Sequence, residues 1–237
     1  MASALLVSPI PILIWNDLEF SGNKITRNFV SSWGSAIQNN LTGEILETDL
    51  VLFNKPFDSE WEPSTYEWAK KNIPEEVKRL DTTRTGHGKY SGTILKEKFL
   101  EDVIKKYTNN DRKLVTFGSD TSASDNCWMN YYLSLNNHQP IQTWFGCDYH
   151  KDPICIDTWY RGLLGLEITG RYNEIKLLRE KLRIPDEQKS TAVHDHNPVN
   201  DCIHMAQEYW IIKCAVEAKQ QRENERILNI GDITCSS

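Results

Sequence analysis

An apolar run that ends in two acids stands near the start of the chain: Ile12-Leu13-Ile14-Trp15-Asn16-Asp17-Leu18-Glu19-Phe20-Ser21-Gly22. Prolines at positions 9 and 11 bound this run, and its length and apolar character predict a buried strand. Side chains on a strand alternate between its two faces, so Asp17 and Glu19 should point to the same side. Two carboxylates that lie this close repel each other, and a divalent cation bound between them would remove that repulsion. Oxygen ligands alone suit Mg²⁺ or Mn²⁺, although solvated acids at a strand end would show the same pattern.

The composition is typical of a globular chain with a sizeable core. It has 237 residues, of which 39% are hydrophobic, and this predicts a single domain. No apolar run approaches the roughly 18 residues of a membrane span, and the N-terminal stretch lacks the basic start of a signal peptide. The six cysteines include no Cys-x-x-Cys pair, which favours reduced thiols and a cytoplasmic location.

The charge of the chain places limits on how it could bind nucleic acid. With a net charge of −6, the chain as a whole does not attract a polyanion, so a surface that binds one must be local. Candidate basic stretches are Lys96 with Lys98, Lys105 with Lys106, and residues 171–189, where six basic residues outnumber four acids. Basic residues in such patterns are more often part of a solvated helix face.

Turn residues and hydrophobic periodicity predict an α/β fold. Strands predicted at 29–37 and 45–53 would form an antiparallel meander with the first strand. The later elements alternate: helices at 64–71 (with Ser64 as the N-cap), near 74–80, at 94–107, after 125, at 174–184 and from 198 toward 227, and short strands at 113–117 and 153–158. This alternation predicts a mixed β-sheet with helices packed on its faces. The segment 54–93, rich in Trp, Pro and Glu, is the least regular.

A second informative stretch precedes the last helix: His194-Asp195-His196-Asn197-Pro198-Val199-Asn200-Asp201. Asn197 is a good N-cap and Pro198 suits the first helical position. Asp201 would then be held rigidly one turn inside the helix, whereas His196 would lie on the loop before it. A metal ligand needs the first property, and a general base that meets a water molecule tolerates the second. A polar loop that only caps a helix would contain the same residues.

Together the two stretches resemble the DEDD exonucleases of the histidine subtype, such as oligoribonuclease and ribonuclease T. Trp15-x-Asp17-Leu18-Glu19-x-Ser21-Gly22 is similar to the first motif of this superfamily, and His196 followed by Asp201, with four residues between them, is similar to the third. The resemblance implies a ribonuclease-H-like fold with helices on both faces of a mixed sheet. It also implies one 3′–5′ exonuclease domain over residues 1–237, with an atypical insertion around 54–93.

The second motif of these exonucleases is an acid followed by bulky apolar residues three and four places later. Asp125, with Trp128 and Met129, fits that register. Asp120 is the alternative, but Ala123 and Ser124 follow it where bulky residues are expected. The usual Asn-x-x-Phe-Asp form of this motif is missing here.

The resemblance implies a two-metal mechanism that releases nucleoside 5′-monophosphates from the 3′ end of single-stranded nucleic acid. It assigns four metal ligands, for two Mg²⁺ or Mn²⁺ ions: Asp17, Glu19, Asp125 and Asp201. His196 would be the general base, and Leu18, Phe20 and Ser21 would contact the terminal nucleotide. The likeness to oligoribonuclease favours RNA over DNA as the substrate.

Two alternatives stay open from the sequence. The acidic pI and the aromatic, acidic segment 54–93 would also suit a catalytically silent nuclease fold that binds nucleic acid or a protein. Separately, Cys147-x-x-His150 followed by Cys155 offers three ligands for a structural Zn²⁺ ion. The oligomeric state is not fixed by the sequence, and a homodimer stays open.

Overall fold

The computed structural model describes residues 8–82, 88–135, 153–165 and 174–234. Its strands are β1 (Ile12–Phe20), β2 (Val30–Asn39), β3 (Ile45–Leu52), β4 (Val115–Ser119) and β5 (Ile154–Cys155). Its helices are α1 (Pro63–Asn72), α2 (Pro74–Thr82), α3 (Gly88–Thr108), α4 (Ser122–Ser134), α5 (Ile156–Leu164), α6 (Glu174–Leu182) and α7 (Pro198–Thr234), and a 3₁₀ turn at Arg112–Leu114 precedes β4.

The five strands form one mixed sheet in the order β3-β2-β1-β4-β5. β1 pairs antiparallel with β2, which pairs antiparallel with β3, so the predicted meander is confirmed. β1 also pairs in parallel with β4, and β4 with β5. This topology puts β1 in the middle of the sheet, with the ends of the parallel strands β1 and β4 at the same edge.

Helices cover both faces of β1, as the sequence predicts. On one face, Ile12, Ile14 and Leu18 belong to a buried core that they share with residues of α3 and α4: Leu100, Val103, Ile104, Trp128, Met129, Tyr132 and Leu133. On the other face, the Trp15 indole N–H donates to Gln38 (2.9 Å), and the Gln38 amide donates to the carbonyl of Ala206 in α7 (2.9 Å). The α/β class and the mixed sheet with helices on both faces are therefore confirmed.

Two details of the predicted helices are wrong. Ser64 does not cap α1, which begins at Pro63 with Glu62 in the cap position and no side-chain cap bond. The helical spacing of Leu95, Phe99, Val103 and Ile104 predicts that they lie on the core face of α3, but Leu95 is 61% exposed. At α1, Pro63 fixes the first turn of the helix in place of a Ser64 cap. In α3, the fully buried positions next to Leu95 are Thr93 and Lys96.

Two lysines of the candidate basic stretches pair with acids in the fold. Lys96 is fully buried, donates to Asp49 (2.6 Å) and lies near the ring of Trp33 (5.5 Å from its centroid). Lys106 is exposed but pairs with Glu47 (2.7 Å). These two lysines are therefore neutralised by acids of β3.

Among the described helices, none is both long enough and apolar enough to cross a membrane.

The described residues divide into two compact units. The first comprises the sheet, α1 to α4 and the start of α7, with residues up to 156 and 192–206. The second comprises residues 157–191 and those from 207 onward. Within the second unit, Arg179 pairs with Glu208 (3.0 Å) and the rings of Trp159 and Tyr209 are in contact (4.9 Å between centroids). That the chain works as a single exonuclease domain stays a prediction.

Candidate metal centre

The end of β1 presents two carboxylates on the face covered by α7. Asp17 and Glu19 lie two residues apart on this strand, and the pairing with β2 shifts register directly after Glu19. Asp17 is opposite Gly34 of β2, and Gly34 packs closely against Pro198, the first residue of α7. A Cβ at Gly34 would lie only 2.4 Å from the Pro198 carbonyl carbon, so glycine lets the helix start approach the strand.

Asp201 reaches this edge because the start of α7 is capped as the sequence predicts. The Asn197 side-chain oxygen accepts from the N–H of Val199 (3.1 Å), and its carbonyl accepts from the N–H of Asp201 (2.9 Å). The Asp201 side chain lies in the first turn of the helix and is buried. Carboxylate oxygens of Asp17, Glu19 and Asp201 all lie within 4.8 Å of one another.

A second acidic cluster is built from the neighbouring parallel strand. Asp120 directly follows β4, and Asp125 lies in the first turn of α4. Carboxylate oxygens of Asp17, Asp120 and Asp125 also lie within 4.8 Å of one another. Asp17 therefore belongs to both clusters, to one with Glu19 and Asp201 and to the other with Asp120 and Asp125.

The two candidates for the second-motif acid differ in how their oxygens are used. Asp120 is half-buried, and one of its oxygens accepts from both the N–H and the hydroxyl of Thr121. Asp125 is only 2% exposed, and its Oδ2 has no hydrogen-bond partner among the described residues. A buried carboxylate oxygen without a partner is costly, and a cation at this point would satisfy it.

Burial and mutual repulsion change the proton affinity of these acids. Burial, followed by the charges of neighbouring acids, raises the pKa of Asp17 and of Asp125 well above the usual value. The same two causes raise the pKa of Glu19 from 4.5 to about 9. Without a cation these carboxyl groups resist ionisation, and one of their oxygens has no hydrogen-bond partner among the described residues. Both properties fit a divalent cation that prefers oxygen ligands, such as Mg²⁺ or Mn²⁺.

Two histidines, rather than the one that was predicted, lie beside the acids. His194 Nδ1 is 3.0 Å from an Asp201 oxygen, and this hydrogen bond raises the pKa of His194. Ring nitrogens of His194 and His196 and an Asp201 oxygen lie within 4.8 Å of one another. Sequence reasoning missed His194, although its spacing of two residues from His196 was a signal that both rings could point to the same side.

The residues predicted to contact substrate have defined contacts within the fold. Leu18 is 4% exposed and belongs to the core that α3 and α4 share, while Phe20 is half-buried and stacks on Trp128 (5.6 Å between centroids). The Ser21 hydroxyl accepts from the N–H of Phe29 (2.9 Å) and donates to the carbonyl of Glu60 (3.1 Å). Their role in holding a nucleotide stays a prediction.

The cysteines near the centre are only partly within the described residues. Cys147 and His150 of the predicted zinc site lie outside them, so that site stays a prediction. Cys155 is half-buried, and its thiol donates to the carbonyl of Asp120 (3.4 Å). Cys202 follows Asp201 in α7 and is fully buried; burial, followed by the charge of Asp17, raises the pKa of its thiol.

A cleft of about 290 Å³ opens beside His196 on the same face of the sheet. Its walls come from β2, β3, α2 and the start of α7, and they include Ser32, Leu50, Leu52, Pro74, Glu76 and Pro198. His196 therefore borders a space that a small ligand could enter.

Comparison with known proteins identifies the fold. No family model matches the chain, and no curated protein sequence matches it. A full-length 3′-exonuclease has a similar structure with a TM-score of 0.56 and 13% identity, over 89% of this chain and 84% of that one. Cell-death related nuclease 4 gives a TM-score of 0.54 and 16% identity, over 85% of this chain and 63% of that one.

E. coli exonuclease I in complex with a dA16 oligonucleotide gives a TM-score of 0.59 and 9% identity, over 86% of this chain and 41% of that one. The chain thus spans less than two thirds of the length of cell-death related nuclease 4 and of exonuclease I. At these identities the similarity concerns the fold. The chain has the ribonuclease-H-like α/β fold of these exonucleases.

Proposed function

We propose that the chain is a metal-dependent 3′–5′ exonuclease that hydrolyses single-stranded nucleic acid to nucleoside 5′-monophosphates. The observation that carries this proposal is the position of Asp17, which belongs to two acidic clusters at one edge of the sheet. The fold adds support, because the solved structures that resemble it include a full-length 3′-exonuclease and exonuclease I.

The proposed ligands are Asp17, Glu19, Asp125 and Asp201. Two Mg²⁺ or Mn²⁺ ions held there would stabilise negative charge on the attacking and leaving oxygens of a phosphodiester. Asp17 would contribute to both ions, because its oxygens lie near those of Glu19 and Asp201 and also near those of Asp125. The raised pKa values of Asp17 and Glu19 support this role, since half-buried carboxylates this close together need a counter-charge when they are ionised.

His196 is the proposed general base. A ring nitrogen of His196 would accept the proton of the attacking water while the water oxygen bonds to phosphorus. The bond from phosphorus to the 3′-oxygen of the penultimate nucleotide would break, which frees a nucleoside 5′-monophosphate. His194, whose Nδ1 bonds to Asp201 (3.0 Å), lies beside His196.

The proposed substrate is the 3′ end of a single strand, with RNA favoured over DNA by the likeness to oligoribonuclease. The solved neighbours include exonuclease I with a DNA oligonucleotide and a 3′-exonuclease with specific recognition of the 3′ end of a histone mRNA stem-loop. Leu18, Phe20 and Ser21 are the proposed contacts to the terminal nucleotide. Phe20 offers the best support, because aromatic rings stack on any base.

The test is degradation of matched 5′-labelled RNA and DNA oligonucleotides, single- and double-stranded, with Mg²⁺. A ladder of shortened products is expected for the wild type, none in EDTA, and none for Asp17→Asn with an unchanged circular dichroism spectrum. Products that persist in EDTA would contradict the metal mechanism. An intact but shifted band with wild-type protein would instead identify a nucleic-acid-binding module without catalysis.

A further inference from the structure

An aromatic contact joins helix α1 to the proposed general base. The ring centroids of Trp68 and His196 are 4.8 Å apart, and the planes meet at 81°, an edge-to-face arrangement. His196 also contacts the ring of His194, at 5.2 Å between centroids. Within the described part of the chain, neither ring nitrogen of His196 makes a hydrogen bond, so these ring contacts are the interactions that can orient the imidazole.

The backbone of His196 is fixed independently of its ring. Its φ is +61°, a left-handed conformation that is uncommon for residues other than glycine. The loop is held in this shape by Asp195, whose side chain accepts from the N–H of Asn197 (3.1 Å) and whose N–H donates to Asp201 (3.1 Å). A histidine base is usually oriented by a hydrogen bond to its second nitrogen, and here that role falls to a packed ring.

Helix α1 is tied to the strand that carries the acids. The N–H of Glu62, at the start of α1, donates to the carbonyl of Ser21 (2.8 Å), two residues after Glu19. The ring of Trp61 packs edge-on against Phe29 (5.4 Å), which is followed by β2. Trp68 is thus carried by a helix whose start is fixed to the end of β1, and it can hold the imidazole in a constant position relative to Asp17 and Glu19.

We propose that Trp68 is a positioning residue, which holds the imidazole of His196 in the orientation that receives the proton of the attacking water. This inference rests on the proposed function, and it gives part of segment 54–93 a role in the reaction. Trp68 is 37% exposed, so its side chain is not required to fill the core. One edge-to-face aromatic pair corresponds to about a three- to tenfold change in rate.

The experiment is single-turnover and steady-state kinetics of Trp68→Ala, Trp68→Leu and Trp68→Phe on a single-stranded oligonucleotide with Mg²⁺. We expect kcat to fall about three- to tenfold for the alanine and leucine variants, with KM unchanged. Trp68→Phe, which keeps an aromatic ring, should retain most of the wild-type kcat. In the His196→Ala background, Trp68→Ala should cause no further loss. Trp210 is a half-buried tryptophan in the second unit, and Trp210→Ala is therefore the matched control, which should keep the wild-type kcat.

NMR gives a measurement that does not depend on turnover. The ring current of Trp68 should displace the His196 ring proton resonances, and Trp68→Ala should move them while those of His204 stay in place. Wild-type kcat in Trp68→Ala, or a further loss in the His196→Ala background, would overturn the positioning role and leave the proposed function intact. A rise in KM with unchanged kcat would make Trp68 a substrate contact instead. Absence of cleavage by the wild type, with the His196 shift still present, would overturn both.

Discussion

Asp125 and Asp120 both have a carboxylate oxygen within 4.8 Å of one of Asp17, but of the two only Asp125 has a buried oxygen without a partner among the described residues. We therefore expect Asp125→Asn to abolish measurable turnover. Asp120→Asn should cost only about 10- to 100-fold, as for a residue next to a metal ligand. Steady-state kinetics of the two isosteric variants make the comparison, with circular dichroism as the check on folding. The opposite ranking would make Asp120 the ligand of the second motif.

The proposed general base leads to a separate expectation. His196→Ala should lower kcat by about 10²- to 10⁴-fold, because the water would lose its proton acceptor. Mg²⁺ binding, measured by titration calorimetry, should be unchanged, since His196 is proposed to hold a proton rather than an ion. A loss of Mg²⁺ affinity in this variant would show that His196 is a ligand.

At the residue scale, the sequence predicts positions that depend on local geometry. The two-residue period put Asp17 and Glu19 on one face, and the Asn197 cap put Asp201 in the first turn of α7. Asp120, His194 and Lys96 depend on tertiary contacts instead. The sequence distinguished Asp125 from Asp120 by the apolar residues that follow each of them. Those residues determine how α4 packs, but they do not determine where either carboxylate points. Lys96 was assigned to the surface because only the fold shows that Asp49 and Trp33 lie next to it.

At the scale of elements, the contact between β2 and the start of α7 decides how close Asp201 comes to β1. Gly34→Ala would place a Cβ 2.4–2.6 Å from atoms of Pro198, mostly backbone, which cannot move aside easily. We expect the free energy of unfolding to fall by about 1–3 kcal/mol and kcat to fall as well, because Asp201 moves away from Asp17. Urea denaturation and steady-state kinetics measure the two effects.

The matched control for this substitution is Gly162→Ala in α5. A Cβ at Gly162 would meet no atom within 4 Å, and alanine is favoured over glycine inside a helix. This variant should therefore be about 0.5–1 kcal/mol more stable than the wild type. Equal stability of Gly34→Ala and the wild type would mean that the strand and helix can separate without cost.

The elements themselves were largely predictable. β1, β2 and β3 are short, strongly patterned runs separated by turn residues, and their pairing follows from their order in the chain. The errors lie where two signals compete: at α1, a proline at position 63 determines the helix start in place of the serine that follows it. The pairing of β1 with β4 and the place of β5 at the sheet edge required the structure, because parallel partners are distant in sequence.

For the whole molecule, the buried acids make stability depend on pH and on metal. The folded protein without metal holds protons on Asp17, Glu19 and Asp125 that the unfolded chain releases above about pH 4.5. Its free energy of unfolding should therefore fall as the pH rises from about 4.5 toward 9, the pKa of folded Glu19. His194 acts in the same direction, since its pKa is also raised by folding.

A divalent cation replaces those protons, so it should stabilise the protein more at pH 8 than at pH 6. Melting temperatures in EDTA and in Mg²⁺ at the two pH values measure this difference. Asp17→Asn removes a carboxyl group that must take up a proton when the metal-free protein folds, so this variant should melt at a higher temperature than the wild type in EDTA at pH 8. An equal gain from Mg²⁺ at both pH values would show that the acids are ionised in the metal-free protein.

Cys202 follows Asp201 in α7 and is fully buried, and its burial and the charge of Asp17 raise the pKa of its thiol. Cys127 and Cys214, by contrast, are exposed. An alkylating reagent can reach the Cys202 sulfur only when the first turns of α7 move off the sheet, a motion that would also carry Asp201 away. Cys202 should therefore be labelled more slowly than the exposed cysteines. The rate of this slow phase would measure how often the start of α7 separates from the sheet in the native protein.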